Sequence, residues 1–179
     1  MAGWLIRPGW PAWRSSVLGE FIRKDYISIG GDWDIGDIRE MDEDTMRRRL
    51  EERKRRGELG STVAFAMNML RTIRDEMSIG DIVIVGDGMY IYGVGLITSD
   101  LRYERSPPLF RDDVHSPHEP AYYPYKRDVR WIKIMKVRID GLKVSDELKR
   151  WLGVAPAPTI RQLPEERLRE LLIALLAAA

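Results

Sequence analysis

A tryptophan and an aspartate stand together at Trp33-Asp34, inside the glycine-dense stretch Ile29-Gly30-Gly31-Asp32-Trp33-Asp34-Ile35-Gly36-Asp37. An indole between glycines at a strand exit is poorly placed for a core and well placed as the wall of a pocket. Such a ring stacks on a flat nucleobase for about 1–3 kcal/mol per base, which offsets the few kcal/mol spent on unstacking that base. The competing role for Trp33 is to cover the end of the sheet. Asp34 offers an acceptor to an exocyclic amine, or else caps the turn that follows. Trp10, just past Pro8-Gly9, is a second pocket candidate. Trp13 falls on the apolar face of a helix, and Trp4 and Trp131 fall on strands, which are core positions. Ser61 and Thr62 open a helix, where free N–H groups favour a phosphate or simple capping occurs.

The densest positive run is Arg47, Arg48, Arg49, Arg53, Lys54, Arg55 and Arg56, with Lys126, Arg127, Arg130 and Lys133 as an extension. Guanidinium and ammonium groups at this density suit a phosphate backbone. Interleaved Glu51 and Glu52 make a solvated, ion-paired helix the alternative. His115 and His118 form H-x-x-H in a proline-rich loop without cysteine or a helical frame, so no metal site and no cofactor are expected. Gly86-Asp87-Gly88 is a turn, not a dinucleotide fingerprint, because no helix follows it. There is no G-x-x-x-x-G-K-[ST] and no paired-carboxylate dyad, so a binding protein is expected rather than an enzyme.

Those residues sit in a chain of 179 residues with formal charge +1, 44% hydrophobic and 32% charged. That size fits one domain, or one domain with an appendage. The near-neutral balance leaves a local basic face as the route to nucleic acid. Absent cysteine excludes a disulfide framework. With no signal-like start and no long apolar run, no membrane segment and a cytoplasmic location are expected. Asn68 and Gln162 are the sole amides among many ion-pairing groups, the composition of a thermophile.

Periodicity predicts the elements that position the candidates. Trp4 to Arg7 reads as a strand, Pro11 to Arg23 as a helix, and Tyr26 to Ile29 as the next strand. Asp42 to Arg56 has an acidic start and a basic end, as a helix dipole favours. A second helix begins near Val63. Two β-branched runs flank Asp87-Gly88, so 81–86 and 89–98 form a hairpin. Residues 100–127 read as a long functional loop, Asp128 to Ile139 as a bent strand, and Ser145 to Leu152 as a helix capped by Ser145. Residues 153–163, with Pro156 and Pro158, read as a stiff linker, and a leucine-rich helix follows over 164–179. The order is α+β.

Trp4-Leu5-Ile6-Arg7, the helix bearing Trp13 and Phe21, Ile27-Ser28-Ile29-Gly30 running into Trp33-Asp34, Gly80-Asp81-Ile82-Val83, Tyr92-Gly93-Val94-Gly95 with Thr98-Ser99, and Val129-Arg130-Trp131-Ile132 follow one another in a familiar order. Together they resemble the EVE branch of the PUA-like domains over about residues 4–140. The likeness is greatest to the N-terminal recognition domains of McrB-type modification-dependent restriction proteins, and YTH domains are similar in layout. The resemblance implies a small curved β-barrel flanked by α-helices over residues 1–152, and a pocket for an extruded, often methylated, base. It implies DNA as the partner, with RNA as the alternative, and a place in a larger oligomeric complex whose motor would follow the last helix. It assigns the first cage wall to Trp33. The second wall comes from the loop after the hairpin, where Tyr103, Phe110 or Tyr122 takes the place of a tryptophan. The family's Ile-Gly-Trp-Asp is stretched here by two residues.

Overall fold

The computed structural model describes residues 1–8, 14–105, 123–153 and 160–178. In chain order the elements are β1 (Gly3–Ile6), α1 (Arg14–Lys24), β2 (Tyr26–Ile29), α2 (Glu43–Arg55), α3 (Val63–Arg71), β3 (Ile82–Gly86), β4 (Tyr90–Ile97), β5 (Arg102–Tyr103), β6 (Tyr125–Arg138), α4 (Asp146–Gly153), β7 (Ile160–Leu163) and α5 (Glu165–Ala177). A 3-10 turn, Gly31–Trp33, follows β2, and a π-helical turn, Thr72–Glu76, follows α3.

Local chemistry sets the element ends. Asp42 caps α2 by accepting from the Thr45 N–H at 2.7 Å. Thr62, not Ser61, caps α3, accepting from Phe65 N–H at 3.1 Å. Ser145 accepts from Leu148 N–H at the start of α4. The hairpin forms where expected, with the Asp87 carboxylate accepting from the N–H groups of Met89 and Tyr90 at 2.8 and 2.7 Å. Thr62→Ala is expected to cost about 1 kcal/mol in urea denaturation, the usual loss for a deleted N-cap.

The strands make one curled sheet in the order β2-β6-β4-β3-β1-β7, with β5 also on β6. β1 and β3 run parallel, Gly3 opposite Ile82 through Ile6 opposite Val85. The fold is α+β, as expected. The barrel is an open one, because β2 and β7 end the sheet. Side chains alternate between two cores. Trp4, Ile6, Val83 and Val85 point inside the curl, with α1, α2 and α3. Leu5, Ile82 and Ile84 point outside, under α4 and α5. Burial on both faces explains why β3 is an unbroken apolar run. On β4, a Cβ at Gly95 would collide with Val129 Cγ1 and lie 2.9 Å from the Arg130 carbonyl oxygen, so glycine lets β6 pass close there.

Two boundaries differ from expectation. β6 begins at Tyr125, inside the segment read as a loop, because β2 and β5 flank its first residues on opposite edges. Residues 160–163, read as linker, form β7, which pairs with β1 from Ile160 opposite Ile6 to Leu163 opposite Gly3. The edge of β1 offers backbone donors and acceptors, and β7 pairs with them.

Candidate nucleic-acid interface

Gly31, at φ +69°, takes the left-handed conformation that starts the 3-10 turn. The turn folds Trp33 inward. Its ring meets Phe65 of α3 edge-on, with centroids 5.6 Å apart, and its Nε1–H donates to Ser61 Oγ at 3.0 Å. The indole expected to stand open is 8% exposed. The ring belongs to the core cluster inside the curl. Ser61 thus positions an indole instead of capping α3.

Asp34 is the polar centre of the cluster and is buried. Its Oδ1 accepts from the Tyr103 hydroxyl at 3.1 Å and from Gly36 N–H at 3.1 Å, and its Oδ2 accepts from Arg105 Nε at 2.8 Å. Below it, the Tyr125 hydroxyl accepts from Ile35 N–H and donates to the Gly36 carbonyl, both at 2.9 Å. The Tyr103 and Tyr125 rings lie 5.7 Å apart. Burial raises the pKa of both phenols, so they remain neutral donors. Burial also pushes Tyr123 up to about 12, reinforced by the charge of Asp32. Asp32 itself is raised by burial against the Gly60 N–H, which donates to it at 2.8 Å.

α2 clamps this loop. Arg49 Nη1 donates to the Ile35 carbonyl at 2.8 Å, and Arg53 Nε to the Asp32 carbonyl at 3.0 Å. Lys54 Nζ donates to the carbonyls of Leu59 and Ser61 at 3.1 and 3.0 Å. Arg53 and Lys54, expected at phosphates, are therefore engaged with backbone. Arg47 and Arg48 are exposed on the same helix, and Arg130 is exposed on β6.

Lys126 and Arg127 require a correction. Expected on a loop, they are central strand residues and buried. Lys126 Nζ lies 5.0 Å over the Tyr26 ring and 3.7 Å from Glu104. Arg127 donates to three carbonyls, Ile73, Ser99 and Arg74, at 2.8, 3.2 and 3.1 Å. Trp10, Phe110, Tyr122, His115 and His118 lie outside the described residues. Sequence reasoning missed Tyr125 and Arg105. The first was hidden by the late start assigned to β6, and no local signal marks the second.

No helix among the described residues is long and apolar enough to cross a membrane. Among solved structures the chain is similar to a Mmi1 YTH domain, with 10% identity and a TM-score of 0.49, covering 98% of this chain and 76% of that one. It is also similar to the YTH domain of Zygosaccharomyces rouxii MRB1 in complex with N6-methyladenosine RNA, with 13% identity, a TM-score of 0.45, and coverage of 96% and 84%. No curated protein matches it. A family model described as Domain of unknown function (DUF8426) matches residues 4–150, most of the elements above, and the chain belongs to that family.

Proposed function

We propose that this domain inspects bases in a nucleic-acid strand at the exit of β2. The strand is DNA, and the domain serves as the recognition module of a McrB-type modification-dependent restriction system, binding without catalysis. One juxtaposition carries this proposal. A buried carboxylate, Asp34, is held among Tyr103, Tyr125 and Trp33 by a loop that α2 fastens through Arg49 and Arg53, and the same helix carries Arg47 and Arg48 out to solvent. A carboxylate in aromatic surroundings suits an exocyclic amine, and exposed guanidinium groups suit phosphates. Trp33 and Asp34 are both buried, so half-buried Tyr103 makes the first ligand contact and an amine reaches Asp34 by displacing the exposed Arg105, with Trp10 and Phe110 as further candidates. The order of motifs along the chain, which resembles the EVE branch, favours DNA.

Titration against matched duplex DNA carrying adenine, methyladenine, cytosine or methylcytosine, and against matched single-stranded RNA, tests the proposal. A methyl group in a fitted pocket changes affinity by about 1–3 kcal/mol, so one modified DNA binds about tenfold tighter than its unmodified match. Asp34→Asn removes that preference. Arg47→Glu with Arg48→Glu weakens every probe alike and lowers the salt slope by about 2. Tighter binding of RNA than of DNA moves the assignment to an RNA-binding PUA-like domain. Failure to bind any probe overturns it.

A further inference from the structure

β6 is longer than the strands beside it. Over residues 125–128 it carries β2 on one edge, and over 129–138 it carries β4 on the other. The contact on the β2 side ends at Val129, whose N–H donates to the Asp25 carbonyl at 2.8 Å. From Arg130 to Arg138 that edge has no strand beside it among the described residues. Such a length of strand spans about 30 Å, enough for a whole further strand to pair.

Two features mark this open edge. Ile132 and Ile134 are 55% and 60% exposed. Lys133 between them donates to the last carbonyls of α5, so the two isoleucines point to the opposite face of the sheet. The second feature is charge. Residues 129–139 hold Arg130, Lys133, Lys136 and Arg138 and no carboxylate. Arg138 is matched by Asp140 at 2.6 Å, and Lys133 by the α5 carbonyls. Arg130 and Lys136 are exposed and meet no carboxylate among the described residues. Lys136 Nζ lies instead over the Tyr90 and Tyr92 rings, 4.9 and 5.9 Å from their centroids.

An open strand edge recruits other strands, and lysine on the edge opposes pairing between identical copies. Antiparallel pairing with a second copy, centred on Ile134, would set Arg130 against Arg138 at both ends and Ile132 against Lys136. Charge therefore disfavours a second copy and selects an acidic strand. We propose that residues 130–138 bind an extended acidic segment of a partner protein by strand addition. Backbone donors and acceptors of the edge supply the affinity, and side chains supply the choice of partner. Ile132 and Ile134 take the apolar side chains of the added strand, and Arg130 and Lys136 take its carboxylates. A nucleic-acid strand offers negative charge but no peptide ladder, so the open edge favours a peptide. This surface lies at the far end of β6 from Tyr125 and does not depend on the role given to Asp34.

Titration of the whole chain with a synthetic peptide alternating valine and glutamate over roughly eight residues, followed by amide exchange in NMR spectra, tests this. The peptide binds at micromolar concentration, and the freely exchanging amides within 130–138 become protected. The matching valine–lysine peptide binds about tenfold more weakly. Arg130→Glu with Lys136→Glu reverses that preference. Ile132→Thr with Ile134→Thr weakens the acidic peptide about tenfold. Circular dichroism and melting stay as in wild type, because both positions are exposed and remain β-branched. Absence of binding, equal binding of the two peptides, or binding that leaves the 130–138 amides unprotected overturns the proposal. Single-stranded DNA that displaces the peptide from wild type but not from Arg130→Glu with Lys136→Glu gives this face to nucleic acid and also overturns it.

Discussion

Arg127→Ala will lower the stability of the protein by about 3–5 kcal/mol, the cost of breaking a buried, multiply bonded charged group. The π-helical turn Thr72–Glu76 interrupts the ordinary helical ladder, and Arg127 takes up two of its carbonyls, Ile73 and Arg74. A third bond reaches Ser99, beyond the end of β4. One guanidinium therefore joins β6, the end of α3 and the turn after the hairpin. Burial draws its pKa down, opposed by Asp100, Asp81 and Asp75. Removing it leaves three carbonyls without their donor, that of Ile73 in a buried bond. Arg127→Lys recovers a minor part, because an ammonium lacks the planar fork. Urea denaturation gives the loss directly. Strand affinity per folded molecule stays within twofold of wild type. A large affinity loss at unchanged stability would return Arg127 to the phosphate-contacting set.

Asp81→Ala should cost about 3 kcal/mol at neutral pH, with the deficit closing in acid. The carboxylate accepts from the Trp4 indole at 2.9 Å, Ala2 N–H at 2.7 Å and Ser78 N–H at 3.0 Å, pinning β1 to the start of β3. Burial pushes Asp81 upward, but the indole and the two backbone donors outweigh it and hold the group below the usual carboxylate range. A depressed folded value means that its stabilisation is complete above the unfolded pKa of about 4 and disappears as pH falls through the folded value. Unfolding midpoints of wild type and Asp81→Ala should therefore converge as pH drops below about 4. A gap that stays constant across that range would show that Asp81 acts through packing alone.

The elements with strong local signals were legible in the chain. Helices α2 and α3, the hairpin around Asp87 and the cap at Ser145 each follow from periodicity or turn chemistry confined to a few neighbours. The start of β6 was not legible, because Tyr125, Lys126 and Arg127 become strand only through pairing with β2 and β5, about 100 and 20 residues away in the chain. β7 escaped for the same reason. Two prolines before it spoke for a linker, and the need of β1 for a partner appears nowhere in residues 153–163.

Of the candidate site, the amino-acid sequence by itself determined which groups are available: an aromatic-acidic turn after β2, a basic helix close behind it, and no thiol or phosphate-loop chemistry. Tertiary structure alone decided which of those groups are buried and which reach the surface. Trp33 turned inward because Phe65 and Ser61 met its ring and its N–H, and Arg127 went to buried carbonyls because the sheet closed around it. Residue type and spacing act locally, whereas burial and hydrogen-bond partnership belong to contacts that only the folded chain brings within reach.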